Sequence, residues 1–280
     1  MDESVVTAAA GRDGRDPIPV LLLRAAHPVP ALAVTVLAGL LAVAIDLPPE
    51  RTVLVVAAVL TGQLSIGWSN DLLDRERDRA VGRTDKPLAT GALPSGVART
   101  AVAVAVVLTV PLGLACGLAA GAVHVVCTAA GWVYNLGLKA TAWSWLPYAV
   151  CFGGIPVFVA LADRPSGMPP AWIPVTGALL GVGAHFLNVL PDLGDDAATG
   201  VRGLPHRVGA RWSPVVAVGV LVLASVVTVV GSQVGVLPAT LSLLLVGALA
   251  VGALVGHGRG PFLAAIGIAL VDVVLLVGAR

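Results

Sequence analysis

The stretch Arg51–Arg83, RTVLVVAAVLTGQLSIGWSNDLLDRERDRAVGR, joins two unlike halves without a break. Its first eighteen residues are almost wholly apolar, whereas the fifteen from Ser69 hold eight charges. About 20 apolar residues in a row is the length of helix that crosses the hydrocarbon of a bilayer. Charge packed against the end of such a run falls where headgroups and water begin. The stretch therefore reads as a membrane span with a charged element attached, and the rest of the chain follows the same plan.

Of 280 residues, 57% are hydrophobic and 12% charged, with a mean hydropathy of +0.94. A soluble domain carries about 25% charged residues. Nine apolar runs can be marked, at about 19–45, 52–71, 97–117, 120–138, 144–162, 171–190, 213–231, 235–256 and 261–279. Lipid offers no partner to backbone N–H and C=O groups, so spans of this kind must be helical. The expected fold is all-α: a polytopic membrane bundle of about nine transmembrane helices around a central cavity. The 33 glycines and 20 prolines are compatible with it, because helices in lipid tolerate both. The motif HPVP at His27–Pro30 predicts a break in the first span.

Residues 1–18, MDESVVTAAAGRDGRDPI, carry two acids before any base and lack the basic start of a cleaved signal peptide. They read as a disordered cytoplasmic tail, with residues 19–280 forming the membrane domain. Placing the N-terminus inside and alternating nine spans leaves 14 of the 17 Lys and Arg residues on the cytoplasmic side. Only Arg51, Arg164 and Arg280 fall outside, as the positive-inside rule requires. The localisation expected is the plasma membrane of a bacterial-type cell. Cys116, Cys127 and Cys151 form no CxxC pair and lie in or beside spans, so buried packing is expected of them rather than zinc or redox chemistry. A net charge of +1, with bases interleaved among acids, gives no nucleic-acid signature.

The charged half of the opening stretch has an order of its own. Asn70, Asp74 and Asp78 are four apart and would share one face of a helix. Like charges at that spacing repel, and a divalent cation turns the repulsion into binding. The spacing recurs at Asn188, Asp192 and Asp196, and each copy is followed four residues later by a glycine, Gly82 or Gly200. The two ladders read N-x3-D-x3-D-x3-G, offset by 118 residues, and both belong on the cytoplasmic side. Facing each other, they would form a cluster of hard oxygen ligands suited to Mg²⁺, which completes its shell with substrate phosphates. Arg83, Lys86, Arg202 and Arg207 stand nearby as clamps for a diphosphate. Solvated loops that merely set topology, or a cation transporter, are the competing readings. Transporters place carboxylates nearer mid-membrane.

These residues resemble the UbiA-type intramembrane prenyltransferases. NDLLDRERD at Asn70–Asp78 matches that family's NDxxDxxxD motif, and DLGDD at Asp192–Asp196 matches its DxxxD. RTDKPLATGALPSG is similar to the family's basic–Pro–Leu segment, and GWVYNLGLKATAW to its Tyr-x4-Lys stretch, here Tyr134 and Lys139. The chain departs from the pattern at Val189, where many relatives have an acid, at Pro191, and at Lys86, where arginine is common. The resemblance implies Mg²⁺-dependent transfer of an isoprenyl group from its diphosphate to an aromatic, quinone-precursor or other lipid-soluble acceptor. It implies catalytic roles for Asn70, Asp74, Asp78, Lys139 and Tyr134. The implied metal ligands are Asp71, Asp74, Asp78, Asn188, Asp192 and Asp196, and the implied diphosphate contacts are Arg83, Lys86, Arg202 and Arg24. An intramembrane terpene cyclase would ionise the same diphosphate and stays open at this point, as does a non-enzymatic transporter.

The remaining polar residues are expected to be structural. Glu76 lies off the ladder face and should pair with Arg75 or Arg79, while Asp195 stands open between ligand and loop residue. Trp143, Trp145, Trp172 and Trp212 fall near span ends as interfacial anchors. Trp68 stands one turn above the first ladder, packed in the core or walling the cavity. His124 and His185 should be satisfied bundle residues, and Asp272, alone in the last span, should hold an interior hydrogen bond.

Overall fold

A computed structural model describes residues 16–164, 167–256 and 260–278. Tail residues 1–15, Arg259, Arg280 and the side chain of Asp195 lie outside the described part. Among the described residues every regular element is a helix. The first predicted span is two helices, α1 (Ile18–Ala25) and α2 (Pro28–Ala44), bent 73° apart. The bend sits at His27, whose φ of 51° is left-handed, immediately before Pro28. Proline disfavours the helical region at the residue preceding it and supplies no N–H of its own.

The second span is longer than its apolar run. α3 (Pro49–Ala80) has 32 residues, about 48 Å at 1.5 Å per residue, against about 30 Å of hydrocarbon. Its last turns therefore extend beyond the span expected at 52–71 and carry the first ladder out of the apolar layer. The charges end hydrophobicity but not helix propensity, since Leu, Arg, Glu and Ala all favour helix. Glu50 in the first turn and Arg77 and Arg79 in the last complement the helix dipole.

A one-turn helix, α4 (Pro87–Thr90), leads into the span helices α5 (Ser95–Ala115), α6 (Leu118–Asn135), α7 (Leu146–Asp163) and α8 (Trp172–Val189). Two short helices, α9 (Leu193–Ala198) and α10 (Leu204–Val208), precede α11 (Ser213–Ser232), α12 (Val236–Val255) and α13 (Gly260–Gly278). Among the described residues seven helices are long and apolar enough to cross a membrane, and the bent α1–α2 pair makes eight. The protein is thus a multi-pass integral membrane protein. The ninth expected span, 261–279, falls on α13, where the described apolar stretch is Ile266–Leu275.

Two cores build the bundle. One joins α2, α3, α6 and α7 through Leu41, Val55, Val59, Ile155 and Phe158. The other joins α8, α11, α12 and α13 through Phe186, Leu221, Val246 and Ile268. They meet where α8 lies against α7. A Cβ at Gly177 would stand 2.5 Å from the Phe152 carbonyl oxygen, and one at Gly181 2.4 Å from that of Tyr148. Small residues of this kind let helices in lipid gain packing energy by close approach. Trp68 belongs to a third, smaller cluster with α1 and α4, its indole N–H donating to the Leu22 carbonyl at 2.8 Å.

Two buried polar side chains differ from expectation. His124 Nε2 has no hydrogen-bond partner among the described residues, whereas His185 is held through Nε2, 3.0 Å from the Ser144 hydroxyl. Stacking on Phe158, with centroids 4.9 Å apart, holds the His124 ring in place of full hydrogen bonding. Asp272 is fully buried, and neither of its carboxyl oxygens has a partner among the described residues. The nearby Ser225 hydroxyl is turned to its own helix, donating to the Leu221 carbonyl at 3.2 Å.

Candidate active site

Both ladders lie at the C-terminal ends of long helices, and both close in the same way. Gly82 and Gly200 have φ of 74° and 86°, a conformation glycine adopts without a Cβ penalty. The N–H that follows each glycine turns back onto the last aspartate of its ladder. Arg83 donates to the Asp78 carbonyl at 2.9 Å and Val201 to the Asp196 carbonyl at 2.8 Å. This is the glycine-terminated helix end that satisfies orphan carbonyls. It gives the repeated glycine its reason and makes the 118-residue offset a repeat of local structure.

The ladders differ above that closure. The first is one unbroken face of α3. The second is interrupted: Asn188 lies in the last turn of α8, Leu190–Asp192 is a 3₁₀ turn, and Asp196 sits on α9. Pro191 removes one backbone donor, so the second ladder is stepped rather than straight.

Asp74 is the centre of the first ladder. Its carboxylate accepts from Asn70 Nδ2 at 3.1 Å, from Lys139 Nζ at 2.5 Å and from the Arg77 guanidinium. Lys139, in the turn after α6, is only 9% exposed. Burial lowers the affinity of its ammonium for a proton, and the Asp74 charge works against that loss. Asn70 is steadied by Asn135, whose own amide donates to the Ile66 carbonyl at 2.9 Å and the Ser69 hydroxyl at 3.0 Å. Asp78 accepts no side-chain hydrogen bond among the described residues and is half-buried.

Asp71 belongs to a separate group. Its side chain is 1% exposed and is held by Lys86 and by His27 Nε2 at 2.8 Å, with Lys86 Nζ 3.0 Å from the same imidazole. Two residues expected at the metal and the diphosphate are thus each other's partners, and the break at His27 supplies the third member. Arg24 donates to Asp16 at 3.1 Å and to the Asp85 carbonyl at 3.3 Å, which ties α1 to the loop before Lys86.

Arg83 spans the two ladders. It grips Asp85 through two nitrogens, at 2.8 and 2.9 Å, and reaches Asp192 at 3.2 Å. That grip holds Asp85 down to about 2. Asp196 moves the other way, up to about 6, because burial and then the like charges of Asp192 and Asp74 oppose its ionisation, while Lys139 and Arg77 favour it. The two ladders therefore share one electrostatic environment. Asn188 donates to the Tyr148 hydroxyl at 3.1 Å. Tyr148 packs edge-on against Tyr134, with ring centroids 5.4 Å apart, and lies 4.8 Å from His185. Tyr134 is thus one wall of an aromatic group below the carboxylates.

Arg202 stands apart, in a cavity with His206 and Arg207. Glu76, 65% exposed, pairs with Arg75 at 3.2 Å and Arg79 at 3.0 Å on the outer face, as its position off the ladder required. His27, Arg77, Asn135 and Tyr148 were not singled out from sequence. Arg77 and Asn135 sit beside chosen residues, one turn on from Asp74 and next to Tyr134. His27 and Tyr148 are brought in only by folding.

The donor set suits a hard cation in chemistry: carboxylate and amide oxygens on two ladders linked through Arg83, with like charges around Asp196 whose repulsion a cation would relieve. Among the described residues no three of Asp, Glu, His or Cys are yet gathered as metal ligands. Bases occupy the spaces between them.

A multi-pass helical bundle with paired aspartate ladders and buried bases at one end is the architecture of an intramembrane enzyme acting on a diphosphate. Residues 31–273 match the UbiA prenyltransferase family, and the chain belongs to that family. The bacteriochlorophyll synthase 33 kDa chain of Cereibacter sphaeroides is 32% identical over 198 residues, 65% of this chain and 64% of that one. The chain thus matches just under two thirds of that relative's length. Digeranylgeranylglyceryl phosphate synthase of Methanothrix thermoacetophila is 30% identical over 72% of this chain and 76% of its own. Among solved structures, a UbiA homolog from Archaeoglobus fulgidus bound to DMAPP and Mg²⁺ superposes with a TM-score of 0.69 at 16% identity. That likeness covers 92% of this chain and 97% of the other, and it speaks for the fold.

Proposed function

We propose that this chain transfers an isoprenyl group from a prenyl diphosphate to an aromatic, quinone-precursor or other lipid-soluble acceptor, with Mg²⁺ as cofactor. The reaction would take place at the cytoplasmic end of a nine-span bundle that begins at residue 19. The observation that carries this reading is the junction of the ladders, where Arg83 contacts Asp192 across 109 residues of sequence and Asp196 shares its field with Asp74 and Lys139.

Asp74, Asp78, Asp192 and Asp196, with Asn70 and Asn188, are the residues that would hold Mg²⁺, and Asp71 is its neighbour on the lysine side. Bound there, the metal supplies neutralisation of the charge that develops on a departing diphosphate. The chain supplies the rest. Lys139, Arg83 and Lys86 are cationic donors fixed in place before reaction, so no reorganisation is needed as charge builds on the leaving oxygens. Asn70, itself fixed by Asn135, orients the Asp74 carboxylate. Tyr134 and Tyr148 form an aromatic group joined to the second ladder through Asn188, where a ring face would favour a nearby carbocation. The apolar spans enclose the tail and exclude the water that would quench that cation. Arg24 holds the loop that carries Lys86.

Products formed from isotope-labelled prenyl diphosphates of several lengths, with and without a panel of acceptors in nanodiscs, test this reading. Acceptor adducts formed only with Mg²⁺ are the expected result. Ring-closed hydrocarbons or alcohols formed equally well without acceptor would make the chain a cyclase. Binding without diphosphate release would overturn both.

A further inference from the structure

The proposed reaction leaves the acceptor undefined, and a second cavity narrows its chemistry. A cavity of about 710 Å³ opens beside α9 and α10, lined by Leu193, Ala197, Ala210, Arg202, His206 and Arg207. Its size falls within the range of small-molecule sites, about 300–1,000 Å³. Its lining is of two kinds. The apolar side chains come from α9 and from the turn before α11, and the polar ones are three bases.

Arg202 and Arg207 are not spent on acids as the bases at the ladders are. Neither Arg202 nor Arg207 has a carboxylate partner among the described residues, although Arg77, Arg83, Lys86 and Lys139 all do. Arg207 Nε donates to the Arg202 backbone carbonyl at 3.3 Å. The His206 side chain is 7% exposed, and neither ring nitrogen makes a hydrogen bond among the described residues. Its nearest acid is Asp196, at 3.7 Å, which is too long for one. A buried imidazole left with two open nitrogens marks a place where a polar ligand is missing. In either protonation state an imidazole has an N–H to donate.

We infer that this cavity binds the anionic group, a phosphate or carboxylate, of the lipid-soluble acceptor, with Arg202 and Arg207 as ionic contacts and His206 as a buried donor. The apolar lining takes the body of the same molecule. The 3.7 Å approach of His206 to Asp196 sets the cavity directly against the second ladder, where the isoprenyl group would be released. The diphosphate of the prenyl donor has bases of its own at the ladders, Lys139, Arg83 and Lys86. The inference rests on the prenyl-transfer reading for the word acceptor, but the anion site can be tested without turnover.

The probes are hexadecyl phosphate and hexadecanol, with the full chain in nanodiscs of zwitterionic lipid. Hexadecyl phosphate should bind at least about tenfold more tightly, since charge-assisted contacts to phosphate are the strong class of hydrogen bond. The double variant Arg202→Gln, Arg207→Gln should lose that preference, and His206→Leu should lose part of it. Saturating geranyl diphosphate with Mg²⁺ should leave the phosphate bound. In transfer assays hexadecyl phosphate should compete with the acceptor and not with the prenyl diphosphate. Equal binding of the two amphiphiles overturns the site, and displacement by geranyl diphosphate gives its bases to that substrate instead. Binding with no effect on transfer would make it a lipid site and refute the acceptor assignment. Absence of diphosphate release in the unmodified enzyme would refute the prenyl-transfer reading while the binding contrast still decides the anion site.

Discussion

Replacing Asp74 by asparagine is the sharpest test of the ladders. The side chain keeps its shape and can still accept from Asn70, but it loses the charge that faces Lys139 at 2.5 Å and Arg77. Two effects should follow. Removing one preorganised electrostatic contact in an active site reduces turnover by about 10²–10³, or 2.7–4 kcal/mol of barrier. Lys139 also loses the charge that supports its ammonium, in a position only 9% exposed, so its proton affinity falls further. The residual activity should then decline at lower pH than in the wild type as Lys139 deprotonates. The assay is diphosphate release across pH 6–10 in nanodiscs at saturating Mg²⁺, with insertion and thermal unfolding measured alongside. Glu76→Gln is the control: its ion pairs are on the exposed face, where such pairs contribute about 0–1 kcal/mol, and its turnover should stay near wild type. An Asp74→Asn enzyme that folds and keeps turnover within about threefold would refute the central place given to this carboxylate.

Other expectations come from neighbouring residues. Asp196 titrates near 6, so apparent Mg²⁺ affinity should fall about tenfold per pH unit well below that value, as the proton competes for the ligand. Asp192→Asn should move the break to lower pH by removing a like charge, and a Mg²⁺ affinity flat from pH 5 to 8 would exclude Asp196 as a ligand. Gly82→Ala and Gly200→Ala meet no atom within 4 Å, so each should destabilise only through its positive φ, by about 1–2 kcal/mol; an unchanged unfolding midpoint would contradict the shared closure. Single cysteines at Ala80 and Ala198, in a variant lacking Cys116, Cys127 and Cys151, should both be labelled from the cytoplasmic side only. Labelling from opposite sides would separate the ladders.

Much of the bundle is legible in the chain because lipid imposes a severe rule: every span must be apolar, helical and about 20 residues long. That rule locates α5 to α8 and α11 to α12 within a few residues, and HPVP foretells the bend at His27. It does not locate the end of α3, because the rule concerns hydrophobicity and the helix continues on propensity after hydrophobicity stops. The short helices α4, α9 and α10 have no periodic signal to read. In the site, spacing alone brings out Asn70, Asp74 and Asp78, since a helix turns spacing into a face. It does not show that Lys86 is taken by Asp71, that Arg202 turns to a separate cavity, or that Asn135 braces Asn70 from another helix. Those are facts of tertiary packing, Asn70 and Asn135 being 65 positions apart.

The pairing of acids with bases within the site has a thermodynamic consequence. In the structure Asp74 is paired with Lys139 and Arg77, Asp71 with Lys86, and Asp85 and Asp192 with Arg83. On the proposed assignment, a dication binding alone would draw carboxylates away and strand buried ammonium and guanidinium groups. A diphosphate binding alone would strand the carboxylates. Leaving a buried charge uncompensated is worth about 3–5 kcal/mol, so either half-step is opposed. Bound together, the two ions exchange partners with the site as in a metathesis of salts, so that the acids face the metal and the bases face the diphosphate. Mg²⁺ and prenyl diphosphate should therefore each raise the affinity of the other, and by the same factor, as linkage requires.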